Sequence, residues 1–326
     1  VWGYLKPYRW QFFAASLFRL IGDLTNLYPA IATAAIVNGL SHPSTIEPAL
    51  VWWYVGLSAV ATFTRTAMVH TSKWLGYRTA ERVGVDAKVR ALGRLEQLDV
   101  AWHERENSGN KLKRIERGGD SLTKIIRLWI NSYIEILVNA VAILAIISHT
   151  DQLVGLMMFG WGISYCWLAI VLMRPAVIAT RAANIEEELF TGLSFELISN
   201  IRTVKVLGMG RSFLARIRVA GNRLFSRINE QLNRFTIRQA SLGVWYRVGQ
   251  LLMIVVIISN ILAGRYEVGF LVLFFSYFNR IQESISELAD NAQQLAIARD
   301  GVARLLSILA EPLGIADPVG KRNFLT

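Results

Sequence analysis

The stretch 49–98, ALVWWYVGLSAVATFTRTAMVHTSKWLGYRTAERVGVDAKVRALGRLEQL, decides the fold. Up to Val69 it is apolar. Past His70 it turns amphipathic, with Leu75, Val83, Val85, Val89, Leu92, Leu95 and Leu98 set between charges. Only glycines, which a helix tolerates, interrupt the pattern, so it reads as one helix of about 75 Å at 1.5 Å per residue. The bilayer core takes about 30 Å of that length. The remainder must project out of the membrane, and its apolar stripe needs other helices to cover it.

The rest of the chain repeats this rhythm. Six apolar stretches run through Trp10–Leu40, Leu50–Val69, Leu128–Ile147, Leu153–Met173, Ala240–Leu262 and Val268–Asp290. Connections after the first, third and fifth are short. Those after the second and fourth are long, basic and helical in pattern. The 326 residues are 53% hydrophobic with 10 Trp, and mean hydropathy is +0.36. In lipid every backbone N–H and C=O must pair internally, so the stretches are expected to be helices. They lack the alternation of a membrane β-barrel. The expected fold is therefore all-α: a polytopic membrane protein with six transmembrane helices and long cytoplasmic extensions.

The net charge of +11 is uneven. Lys and Arg crowd the two long connections and are absent from Ser41–Pro48 and Ser148–Gln152, while Ala263–Glu267 holds only Arg265. Positive residues stay on the cytoplasmic side. Both long connections and both termini are thus expected in the cytoplasm, and topology accounts for the charge without nucleic acid. The single cysteine, Cys166, excludes a disulfide framework or Cys-based metal site within one chain. The N-terminal apolar run continues too far for a cleavable signal peptide. The chain starts at Val1 and stops in a Gly- and Pro-containing tail, and is expected to be a fragment of something longer. Residues 1–312 read as the membrane domain and 313–326 as the start of a linker.

Trp2–Trp10 is aromatic and basic and reads as an interfacial segment. Pro29 is a kink candidate in the first span. Charged residues inside spans usually face a bundle interior or a wet cavity. The candidates are Arg19, Asp23, Arg65, Glu135, Arg247, Arg280 and Glu283. Arg19 and Asp23 stand at i,i+4 and can neutralise each other. In the sixth span Ser276, Arg280, Glu283, Glu287, Asn291 and Gln294 recur every three to four residues and form one polar helical face. That face reads as the lining of a translocation pathway, against interhelical hydrogen bonding. Glu283 is close enough in sequence to pair with Arg280.

Each long excursion has a tip where direction reverses. The first, Leu98–Ile115, carries Trp102, His103, Glu104, Ser108-Gly109 and Arg114-Ile115; the second is Glu196–Gly208, with Asn200, Ile201, Arg202, Thr203, Val204 and Lys205 at its centre. These resemble the two intracellular loops of ATP-binding-cassette (ABC) exporters of the half-transporter type. His103 departs from the second aromatic of that pattern, Gly118-Gly119 displaces an acidic residue for which Asp120 can stand in, and Leu207 replaces an aromatic. Gln293–Leu305 resembles the end of the family's sixth helix, and Ile315–Pro318 the approach to its nucleotide-binding domain, so the resemblance covers essentially the whole chain.

The resemblance implies that both tips are coupling helices docking on nucleotide-binding domains, that two subunits pair as a homo- or heterodimer and exchange helices, and that ATP and Mg2+ bind outside this chain. A Gly-x-x-x-x-Gly-Lys-Ser/Thr loop is missing from the sequence, and no cofactor of the chain's own is expected. The catalytic domain is implied to follow Thr326 or to be a separate chain. Membrane lipids are the remaining expected partner, and the bacterial cytoplasmic (inner) membrane the expected location. The alternative is an ion-coupled secondary transporter or channel subunit, which calls for spans interrupted near midplane; Pro29 is the one candidate.

Overall fold

The computed structural model describes residues 2–41, 47–99, 102 and 108–312. The chain is 93% helical, with no strand among the described residues. A short α1 (Trp2–Leu5) and a 3-10 turn (Lys6–Tyr8) lead into α2 (Arg9–Thr25) and α3 (Tyr28–Ser41). The first apolar stretch breaks at Asn26 and Leu27, just ahead of Pro29, where the ring opposes continuation of the preceding helix. The decisive stretch forms a single helix, α4 (Pro48–Glu96).

The third stretch begins at Ser108, far ahead of its apolar part. It comprises α5 (Ser108–Leu128), α6 (Ile134–Val138) and α7 (Leu144–Thr150), joined by π-helical turns at Trp129–Tyr133 and Asn139–Ile143. The fourth and fifth stretches lie in α8 (Gln152–Ser199) and α10 (Gly210–Leu262), with the six-residue α9 (Ile201–Val206) between them. The sixth lies in α11 (Gly269–Leu309). The linker 313–326 lies outside the described residues.

Four stretches, Trp2–Ser41, Lys111–Thr150, Gln152–Ser199 and Gly210–Leu262, are long and apolar enough to cross a membrane. α4 and α11 fall short of that measure. Trp52, Trp53, Tyr54 and Arg65 lower the hydropathy of the first, and Arg280, Glu283 and Glu287 charge the second.

The chain divides into two compact units. One comprises Val1–Gly155 with Ile257–Thr326, the other Leu156–Val256. In the first unit the extra-membrane halves of α4, α5 and α11 share a core of Ala80, Val83, Ala87, Ala91, Ile115, Leu122, Ile126, Val302, Leu305 and Ile308. The buried stripe of α4 thus runs through small residues, whereas Val85, Val89 and Leu92 of the expected stripe are exposed. The spacing of the helices explains the choice: α4 and α5 approach so closely that a Cβ on Gly84 would land on Thr123 Oγ1 and one on Gly119 on the Lys88 side chain, and α5 and α11 are equally close at Gly118 and Gly301. Small residues permit this approach, and dispersion over the contact stabilises it. Lys88 braces the α4–α5 pair by a 2.7 Å bond to Asp120.

In the second unit the membrane halves of α8 and α10 meet at tryptophans. Trp161 Nε1 donates to the Trp245 carbonyl (3.4 Å), and Trp245 Nε1 donates to Ser164 Oγ (3.0 Å). Much of both helices remains apolar and exposed, including Ile163, Trp167, Ile185 and Leu189 on α8 and Phe225, Leu232 and Val255 on α10.

Candidate functional site

Within the first unit the charged residues of the spans converge. Arg19 and Asp23 on α2 are 3% and 1% exposed, so their charges need partners. Arg19 Nε donates to Asp23 Oδ2 at 2.7 Å, and its Nη2 donates to Glu135 Oε2 on α6. Glu135 Oε1 faces Arg65 Nη2 of α4 at 3.8 Å. Arg280 of α11 donates from Nη2 to Asn26 Oδ1 at 3.3 Å, just past the end of α2. Three guanidiniums thus surround two carboxylates. Asp23 Oδ1 and Arg65 Nε have no protein partner among the described residues. A buried ion pair gains little net stability, but loss of one partner leaves an uncompensated charge.

The polar face of α11 divides in two. Its flank toward the third stretch is engaged: Ser132 Oγ donates to Glu287 Oε1 at 2.5 Å and Asn139 Nδ2 to Ser284 Oγ at 2.9 Å. Ser132 and Asn139 both lie in the π-helical turns, whose extra residue displaces side chains from the regular α-helical register. Ser284 and Asn291 are buried with them. Glu283 is exposed and Ser276 and Arg280 half-buried. Among the described residues Arg280 makes no ion pair with Glu283; Asn26 takes its guanidinium instead. Glu287 therefore belongs to the helix–helix contact, and Ser276, Arg280 and Glu283 make up the remainder of the face.

Arg247 lies in the other unit. It sits over the Tyr246 ring at 5.0 Å and bonds Gln250 Oε1 at 3.0 Å, while Gln250 Nε2 donates to Tyr246 Oη at 3.0 Å.

At the first tip, Trp102 is half-buried and its ring receives Lys111 Nζ at 4.6 Å. Lys111 is 2% exposed, and the cation–π contact gives this buried ammonium electrostatic compensation. Trp102 N donates to the Asp99 carbonyl at 3.0 Å. Helix α5 starts at Ser108 and Gly109, whose backbone alone is described, and Arg114 follows half-buried. His103 and Glu104 lie outside the described residues.

The second tip is α9, which starts after Asn200 and is closed by Gly208 at φ +65, a conformation glycine adopts without a Cβ penalty. Arg202, Thr203 and Lys205 are exposed. Val204 is 7% exposed and faces inward, whereas Ile201, Val206 and Leu207 are 45%, 77% and 63% exposed. The outward apolar set is therefore Ile201, Val206 and Leu207. Five of the six side chains of this short helix are exposed, and Leu207 beyond its end extends the set.

The ABC transporter transmembrane region family model matches residues 12–285 of this sequence. The chain belongs to that family. It is similar to heavy metal tolerance factor 1 of Caenorhabditis elegans, 25% identical over 199 residues covering 58% of this chain and 24% of that protein. It is similar also to the beta-(1→2)glucan export ATP-binding/permease protein NdvA of Rhizobium etli, 18% identical over 302 residues covering 91% of this chain and 50% of that protein. The chain thus spans half or less of the length of these relatives. In fold it is similar to a bacterial Atm1-family ABC exporter with ATP bound, at a TM-score of 0.72 and 17% identity over 96% of this chain and 55% of that one. Family and fold agree on an ABC exporter transmembrane domain, an integral, multi-pass membrane protein, and displace the ion-coupled carrier.

Sequence reasoning missed Lys111, Ser132 and Asn139. Lys111 carried a signal, since a Lys shortly after a tip tryptophan can reach its ring. The hydroxyl and amide of the third stretch carried none, because their partners lie far along the chain.

Proposed function

We propose that this chain is the membrane-spanning half of an ATP-driven exporter, which lines the translocation pathway and couples ATP binding and hydrolysis elsewhere to substrate movement. The carrying observation is α9: a short helix with exposed Ile201, Val206 and Leu207 at the junction of helices of 48 and 53 residues. Long rigid helices transmit displacement, and a helix seated in a groove moves with the groove. The nucleotide-binding domain, in the same polypeptide or a separate chain, holds ATP and Mg2+. Trp102, held by Lys111, belongs to the first coupling segment, to which this reading also assigns His103, Glu104, Ser108, Gly109 and Arg114.

ATP shifts the conformational equilibrium by binding two states with different affinity. The Arg19–Glu135–Arg65 network with Arg280, Ser276 and Glu283 borders the pathway. Six spans, cytoplasmic termini, two paired subunits and a bacterial inner-membrane location complete this reading, with residues after 312 leading to the ATP-binding part. Topology tests it. In a Cys166→Ser background, Asp151→Cys and Glu267→Cys react with an impermeant maleimide added outside intact cells, and Arg202→Cys does not. Labelling of Arg202→Cys from outside overturns the orientation and the coupling role of α9.

A further inference from the structure

Two guanidiniums of the membrane cluster lack the partners that the third has. Arg19 is fully engaged, with Nε on Asp23 and Nη2 on Glu135. Arg65 makes no hydrogen bond among the described residues. Its contact with Glu135 Oε1 is 3.8 Å long, because Arg19 already holds that carboxylate, and its Nε is buried without a partner. Arg280 makes one long bond, 3.3 Å to Asn26 Oδ1. A guanidinium carries five N–H donors, and buried donors are ordinarily paired. Most donors of Arg65 and Arg280 thus have no acceptor on the protein.

The two side chains belong to one place. Arg280 lies within electrostatic reach of Arg65, Glu135 and Glu283. Both are open: the Arg65 side chain is 39% exposed and Arg280 is half-buried. The carboxylates around them are mostly spent. Asp23 is 1% exposed and sealed behind Arg19, and Glu135 is shared. Glu283 alone is exposed and forms no ion pair among the described residues. Two open cations therefore stand against one open anion. Depth adds a second constraint. Arg65 lies about 22 Å from Leu50 at the outer end of the second apolar stretch, and Arg280 about 18 Å from Val268 at the outer end of the sixth. Both positions fall inside a hydrocarbon core of about 30 Å, where charges are costly and mark function. Adjacent guanidiniums repel each other, so neither stabilises the helices by itself. Their planar forks match the oxygens of a carboxylate or phosphate.

We infer that Arg65 and Arg280, with Ser276 one turn before Arg280, form an oxyanion site, and that the transported substrate is an organic anion bearing a carboxylate or phosphate group. The inference rests on the pathway reading proposed above and adds the chemistry of its cargo. The test uses the full transporter in phosphatidylcholine nanodiscs, with Cys166→Ser as background. Ser276→Cys is modified by two small methanethiosulfonates of opposite charge, the sulfonatoethyl and the trimethylammonioethyl reagent, each rate being divided by that of a free thiol. The anionic reagent is expected to be favoured by about tenfold. Arg65→Gln with Arg280→Gln removes the preference, and Arg65→Lys with Arg280→Lys keeps it. Two dyes sharing a xanthene ring give the second readout. Carboxyfluorescein is expected to bind about tenfold more weakly to the Gln double variant than to the parent, whereas binding of cationic rhodamine 6G is not weakened. A few molecules of phosphatidylglycerol per nanodisc separate two sources of the oxyanion: displacement of carboxyfluorescein assigns the site to a lipid headgroup, and retention assigns it to a soluble anion. Faster reaction of the cationic reagent, an anionic preference that survives both Gln substitutions, or carboxyfluorescein binding that is absent or equal in parent and double variant overturns the oxyanion site. Failure of both reagents to react with Ser276→Cys, with or without ATP, overturns the pathway reading itself.

Discussion

Arg94 donates a 2.6 Å hydrogen bond from Nη2 to the main-chain carbonyl of Glu311. The bond ties the foot of α4, just before the first tip, to the chain as it leaves α11. The end of α4 and the end of α11 are thus joined to each other by a side-chain bond.

Arg94→Ala is expected to loosen that junction. The lost charge-assisted bond is worth about 1.5 kcal/mol, which corresponds to roughly tenfold faster local opening. Hydrogen exchange should therefore accelerate through Ser307–Ala310 while the amides of Ala80–Ala91 stay protected. Equal exchange at Ser307–Ala310 in both proteins would show that the bond carries no mechanical load.

The second tip separates a docking role from a folding role within one short helix. Ile201→Asp with Leu207→Asp changes exposed positions, so insertion and thermal stability should be nearly unchanged, while substrate transport and its coupling to ATP hydrolysis are lost. Val204→Ala changes a buried position and should lower stability by about 1–2 kcal/mol. Transport at the parental rate in the Ile201/Leu207 double variant rules out docking through this face.

The membrane cluster and the exposed part of the α11 face are expected to behave differently. Glu135→Gln leaves Arg19 and Arg65 without their shared carboxylate. Removing one partner from a buried pair costs about 3–5 kcal/mol, and the half-exposure of Glu135 places the loss at the lower end, so the melting temperature in detergent should fall clearly. Glu283→Ala touches an exposed carboxylate and should leave melting unchanged while altering substrate-stimulated ATPase of the full transporter. If Glu283→Ala instead lowers melting and basal ATPase together, Glu283 joins Glu287 as a residue of the helix contact.

The sequence made the long helices legible because one helical pattern, apolar to Val69 and amphipathic past His70, runs unbroken through Ala49–Leu98. It misdirected the choice of buried face. Hydropathy ranks Val85, Val89 and Leu92 above Ala80, Ala87 and Ala91, yet close approach of α4 and α5 selects for size. The inward turn of Val204 was hidden because six residues hold too few turns to reveal a period. Arg280 and Glu283 stand three residues apart, which permits contact without requiring it, and Asn26 was the nearer partner. Arg94–Glu311 and Ser132–Glu287 join residues 217 and 155 positions apart, and only the folded structure brings them together.

Tyr266 gives a prediction in which pH is the variable. Its hydroxyl donates to Asp151 Oδ2, joining the α7–α8 turn to the turn before α11. Burial first, and then the bond to the Asp151 carboxylate, push the phenol up to about 12 from its ordinary value of 10. A group whose folded pKa is raised contributes its stability in full below the unfolded value and loses it as pH climbs through the folded one. The clamp is therefore intact at neutral pH and released between about pH 10 and 12. Tyr266→Phe removes the bond at every pH and should cost about 1 kcal/mol at pH 8. Melting curves of the two proteins should thus be separated at pH 8 and draw together as pH rises past 11, since other titrations affect both alike. A gap that stays constant from pH 8 to 12 would mean that the Tyr266 proton does not hold these turns together.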